Sequence, residues 1–167
     1  MFEAQHLSHG LKEEFASLKP TVFATFSEAT GGLSAAQAAA VPGERMNSIW
    51  AVVNHLWFWN EAPLRKLRGE EVAPADLGAP DWSGWPPIGD PADEAAWQAA
   101  RARALDSAAA LADAIATFSP EQLEADVGGW GPAWATVQST LAHNGYHIGE
   151  IVTLRHIQGF WVESRLV

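Results

Sequence analysis

Apolar residues recur every three or four positions along most of this chain, and no segment alternates cleanly with period two. A helix brings positions three and four apart onto one face, whereas a strand repeats every two. The pattern therefore predicts an all-α fold. Four long stretches carry it. The first joins Leu7, Leu11, Phe15, Leu18, Val22 and Phe26, from Glu3 or Leu7 to Glu28, with a kink expected at Pro20. The second starts at Asn47 or Ser48 as cap and runs to about Arg68, with Pro63 expected to bend its last part. The third spans Pro91–Phe118 behind an Asp90 cap, and the fourth runs from Pro132 to Gln158, ended by Gly159. Four long amphipathic helices in 167 residues predict one four-helix-bundle domain over 1–167.

The connections are unequal. Leu33–Ala40 reads as a short helical piece capped by Ser34, and Ser119–Pro120 opens another short turn before the joint Gly128-Gly129-Trp130-Gly131. Residues 70–90 are rich in Pro and Gly and hold Trp82 and Trp85. So long a loop in a compact domain is either a plug on the core or the wall of a pocket. Both readings stay open for the two tryptophans.

Charge and residue usage exclude several functions. Ten basic against twenty acidic residues give a formal charge of −10. Affinity for nucleic acid depends on cations that neutralise phosphates. Neither nucleic acid nor an anionic membrane is therefore an expected partner. The chain has no cysteine, which removes a disulfide scaffold, a thiol nucleophile and thiolate metal ligands. There is no signal-peptide pattern and no apolar run of membrane-spanning length, so a cytoplasmic location is expected.

Histidines mark the chemistry. His143 and His147 lie four apart on the fourth helix, one above the other, with Glu150 on the same face. His55 is the only other histidine near the middle of a long helix. Facing helices of a bundle bring such side chains together, and three imidazoles with one open position match a catalytic metal centre. Alone, the pair reads first as packed core histidines, and a metal site needs a third ligand from elsewhere. Glu150 would supply a fourth oxygen, orient His147 from behind, or act as a base. His6, His9 and His156 read as surface residues. The paired Glu-x-x-His of di-iron bundles, His-Glu-x-x-His, the phosphate-binding loop and Gly-x-Ser-x-Gly are all missing; only Glu3-x-x-His6, at a helix start, has the first spacing.

Two segments resemble the DinB/YfiT-like superfamily. One is Ser48-Ile49-Trp50-Ala51-Val52-Val53-Asn54-His55-Leu56, followed by Glu61 and Leu67-Arg68-Gly69; the other is His143-Asn144-Gly145-Tyr146-His147-Ile148-Gly149-Glu150-Ile151. The tryptophan-bearing loop between helices two and three is similar too. The resemblance implies a four-helix bundle, often a homodimer, with a divalent metal such as zinc, nickel or iron on His55, His143 and His147. Where this chain has Glu150, the family often has Gln. The resemblance also implies a thiol-dependent transferase acting on a small molecule, with a low-molecular-weight thiol such as bacillithiol or mycothiol as cosubstrate. In that reading Trp59, Trp82 and Trp85 form the pocket wall, and Glu150 or Tyr146 handles protons. A metal-dependent hydrolase and a non-catalytic metal-binding stress-response protein are the alternatives.

Overall fold

The computed structural model describes residues 4–16 and 23–160, and among them it is all-α, with seven helices and no strand. Four are long: α1 (Ala4–Ala16), α4 (Ile49–Leu67), α5 (Glu94–Ala116) and α7 (Ala133–Gln158). Three are single turns: α2 (Phe26–Thr30), α3 (Ala35–Ala39) and α6 (Pro120–Glu124). The long helices pack in a ring, α1 beside α5, α5 beside α4, α4 beside α7 and α7 beside α1. This is the expected all-α bundle.

Two boundaries differ from the sequence reading. The first helix does not run unbroken to Glu28. Thr25 is extended (φ −75°, ψ 164°), its side chain accepts from the Glu28 amide, and the Glu28 carboxylate accepts from the Thr25 amide. This reciprocal cap starts a new helix, which the apolar spacing through Phe26 concealed. The expected kink at Pro20 lies outside the described residues. The third helix begins at Glu94 and not at Pro91. Asp93 is its cap, accepting from Ala96, while Asp90 closes a preceding turn by accepting from Ala92. Of two aspartates three residues apart, the second wins the cap. Elsewhere the caps are as expected: Ser34, Ser48 and Ser119 each accept from an amide three residues on, and Gly159 ends α7 in the left-handed region. Helix α4 continues through Pro63 to Leu67.

The core has two main parts along the bundle. Phe15, Phe26, Trp50, Leu56, Trp97 and Ile151 fill one, and Leu7, Leu11, Leu64, Leu111, Ile115 and Val137 the other. Burying each large side chain stabilises by about 1.5–3 kcal/mol. A third, smaller cluster forms where the 70–90 loop, with Val72 and Leu77, packs on Phe58. Small residues matter as well: Ala100, Ala104 and Ala108 are buried and let α5 lie close to α4.

The α2–α3 corner is fastened by Arg155, which is buried in α7. Its guanidinium donates to the carbonyls of Ala29 (2.9 Å), Gly31 (2.8 Å) and Phe160 (3.1 Å). Those carbonyls lie at the ends of α2 and α7, where no helical donor reaches them. Arg155→Met keeps the aliphatic stem but strands the carbonyls. It should lower unfolding stability by roughly 2–4 kcal/mol. Urea denaturation checks this, and a change within roughly 0.5 kcal/mol would show that solvent satisfies these groups equally well.

Candidate metal centre

Helices α4 and α7 run antiparallel, and polar contacts mark three heights of their crossing. Asn47, just before α4, donates to Glu150 (3.2 Å). His55 meets His143, with Nε2 atoms 3.0 Å apart. Asn144 donates to Asn60 (3.0 Å), both side chains being fully buried. His147 lies one turn beyond His143 on α7 and completes a group whose ligand nitrogens all lie within 4.8 Å of one another. The group sits mid-bundle, between the two parts of the core.

Outer contacts fix which nitrogen of two imidazoles is free. His55 Nδ1 lies 2.7 Å from the Gly84 carbonyl. A carbonyl only accepts, so Nδ1 carries the proton and Nε2 keeps its lone pair. His147 Nδ1 lies 2.7 Å from Glu150 Oε2, with the same consequence. A carboxylate or carbonyl behind an imidazole is the usual outer arrangement of histidine metal ligands. His143 departs from it, because its buried Nδ1 has no hydrogen-bond partner.

The loop of residues 70–90 supplies one of these outer contacts. Gly84 has φ +72°, and a Cβ there would fall 2.6 Å from both the Phe58 ring and Trp59 Nε1. Only glycine allows the chain to turn this close to α4 and present its carbonyl to His55. One residue on, Trp85 stacks on His55 with centroids 3.9 Å apart and planes 10° from parallel. Asn54 donates to the Pro87 carbonyl (2.8 Å) and pins the loop's far side. Trp85 thus packs the loop down onto the His55 ring. Trp82 lies farther out, 42% exposed, against Phe58, Trp59 and Trp130.

Electrostatics favour neutral imidazoles. Burial pushes His55 down to about 4, against the opposing pull of its Gly84 hydrogen bond. Burial, then the neighbouring His147 and His55, likewise push His143 down to about 4. The Glu150 carboxyl is held below its usual range, chiefly by the hydrogen bond from His147. At neutral pH His55 and His143 are therefore uncharged imidazoles, and with the Glu150 carboxylate behind His147 they make a donor set that suits a divalent transition metal.

The remaining candidates fall into place around this. Glu150 stands behind His147, with both oxygens engaged. Tyr146 is 71% exposed and meets the His147 ring edge-on at 4.9 Å. Trp59 lies edge-on to both His55 and His143. His6, His9 and His156 are exposed, as expected. Sequence reasoning missed Gly84, whose role is a backbone carbonyl, and Trp130, an aromatic set among glycines that was treated as part of a joint.

A helical bundle with three converging imidazoles, two buried and one half-buried, defines a class of metal-competent helical proteins. Within that class, a family model described as the DinB superfamily matches residues 21–150, more than three quarters of the chain. The chain belongs to the DinB superfamily. No curated protein and no solved structure matches it.

The lowered histidine pKa values make stability depend on pH. Above about pH 6.5, folded and unfolded chains both hold these imidazoles neutral. As pH falls from about 6.5 to about 4, the unfolded chain takes up protons that the folded one refuses, so this contribution is lost. Glu14 acts in the opposite sense. Burial raises its carboxyl from 4.5 to about 8, so the folded state binds that proton first and gains stability as pH falls across this window. The difference between metal-free wild type and His143→Gln isolates the histidine part. Wild type should lose ground against the variant as pH falls below about 6.5. A difference independent of pH would mean that His143 titrates normally.

Proposed function

We propose that the protein is a metal-dependent enzyme in which His55, His143 and His147 hold one divalent ion that activates a small thiol for transfer to an electrophilic substrate. The observation that carries the metal reading is the convergence of the three imidazoles, two of them turned by outer acceptors so that Nε2 is free. An ion held there would supply Lewis acidity, lowering the pKa of a thiol in its open position.

The chain's own residues support this chemistry in distinct ways. The lowered pKa of His55 and His143 means that protons do not compete for their lone pairs at neutral pH. Glu150 keeps the proton of His147 on Nδ1 and contributes a single negative charge, so a dication keeps a net positive charge to attract an anion. Trp85 covers His55 and keeps water from that side. The chain has no cysteine, so a reacting sulfur must come from a cosubstrate.

Purified protein should bind about one divalent transition metal per chain. His55→Ala, His143→Ala and His147→Ala should each abolish it while circular dichroism stays helical. Glu150→Gln keeps a hydrogen-bonding group at the same place but removes its charge. It should weaken metal affinity by roughly 10–100-fold without abolishing binding. Full metal retention in His55→Ala, read by elemental analysis after dialysis, would refute the three-histidine centre.

The thiol reading has its own test. The visible spectrum of cobalt-loaded protein should change when a small thiol is added near neutral pH, where a free thiol of pKa about 8.5 is mostly protonated. Electrophile consumption should depend on the thiol. Thiol-independent ester or amide hydrolysis, with no spectral response, would replace the transferase with a hydrolase.

A further inference from the structure

Beside the three histidines, a cavity of about 410 Å³ opens in the groove between α4 and α7. It lies along the same helix faces that carry the ligands. On α4 the series is His55, Trp59, Pro63, one turn apart each. On α7 it descends from His147 through His143 to Thr140 and Thr136. Trp130, from the glycine-rich joint, closes the outer side, its ring 6.2 Å from that of Trp59. His143 belongs to both the ligand group and the cavity wall. Anything in the cavity therefore has one end against the candidate metal centre.

The lining specifies the ligand's chemistry. Two indoles and a proline ring give flat, apolar walls, and no Lys, Arg, Asp or Glu lines the cavity. The Thr140 hydroxyl donates to the Thr136 carbonyl at 3.0 Å, which leaves its lone pairs for weak acceptance only. A charged group moved from water into such a lining would lose its hydration without gaining a counter-charge. A flat apolar group would exchange water for indole faces and edges. The volume falls in the range of small-molecule sites, roughly 300–1,000 Å³.

We infer that this cavity is the specificity pocket for an uncharged, flat, apolar group of the substrate, held with its reacting end at His143. The inference rests on the metal-centre reading for what that end meets, but the pocket itself is built by the chain. Trp59 and Trp130 select for flatness, and the turn at Ser139 forms part of the lining where the groove opens to solvent.

Three probes share one ring system and differ in charge: 2-naphthol, naphthalene-2-sulfonate and 2-naphthylmethylammonium. Calorimetric titration is run on metal-loaded and metal-stripped protein. The neutral probe should bind both forms, at least tenfold tighter than either ion. Ser139→Phe, which narrows the opening, should weaken 2-naphthol at least tenfold with metal content unchanged. Trp130→Ala should weaken it too, and if that variant unfolds, Ser139→Phe still decides. If 2-naphthol fails to bind metal-loaded protein, if an ion binds as well as the neutral probe, or if Ser139→Phe binds like wild type, the pocket assignment is overturned. Loss of the metal-centre reading would look different: no metal at any loading, with neutral-probe binding intact.

Discussion

Three imidazoles in the middle of a helical bundle are expensive unless each polar nitrogen is used, and the structure is arranged around that requirement. Burial, with a smaller contribution from the neighbouring imidazoles, holds His55 and His143 neutral at physiological pH, which removes the worst of the cost. What remains is to occupy the nitrogens. Two of the three are met from behind, one by a loop carbonyl and one by a carboxylate. The first needs a glycine at position 84 to bring the backbone against α4, and the second needs Asn47 to hold Glu150. The long loop after α4 is therefore part of the centre, and its tryptophan packing on Phe58 and Trp59 keeps its carbonyl in place.

Much of this was legible in the sequence because helices write their faces into it. The spacing of His143 and His147 put both on one turn, and His55 stood alone mid-helix on another element, so their convergence followed from bundle packing. The same spacing argument failed at Phe26. A run of correctly spaced apolar residues does not report a break when the break is made by a local cap, here Thr25 with Glu28. Asp90 misled for a related reason: two aspartates near a helix start are equivalent by composition, and only backbone geometry decides between them. The Gly84 contact was invisible because backbone carbonyls carry no residue-type signal. Trp130 was overlooked because its glycine neighbours marked a joint.

The −10 charge and the cavity point in separate directions. Net charge describes the outer surface, where it opposes binding to polyanions. The cavity beside His143 has no charged lining residue at all. A small ligand placed there would be selected by shape and desolvation, behind a surface that favours neutral or cationic visitors.

The last question is what keeps α4 and α7 in register, since the candidate centre and the cavity both depend on it. Apolar packing tolerates small slides, because one aliphatic contact replaces another at similar energy. Polar pairs do not, because a separated buried partner keeps its full desolvation cost. The crossing has such contacts at three heights: Asn47 with Glu150, His55 with His143, and Asn60 with Asn144. The last is costly in itself, since the pair makes one hydrogen bond and leaves Asn60 Nδ2 and Asn144 Oδ1 buried without partners. A leucine pair of similar volume would pack more stably. Its presence is explained if stability is exchanged for register, as with single buried asparagines in coiled coils. Advancing α7 by one residue along its own screw would rotate its side chains by about 100°. That would break all three contacts together and turn His143 and His147 away from His55.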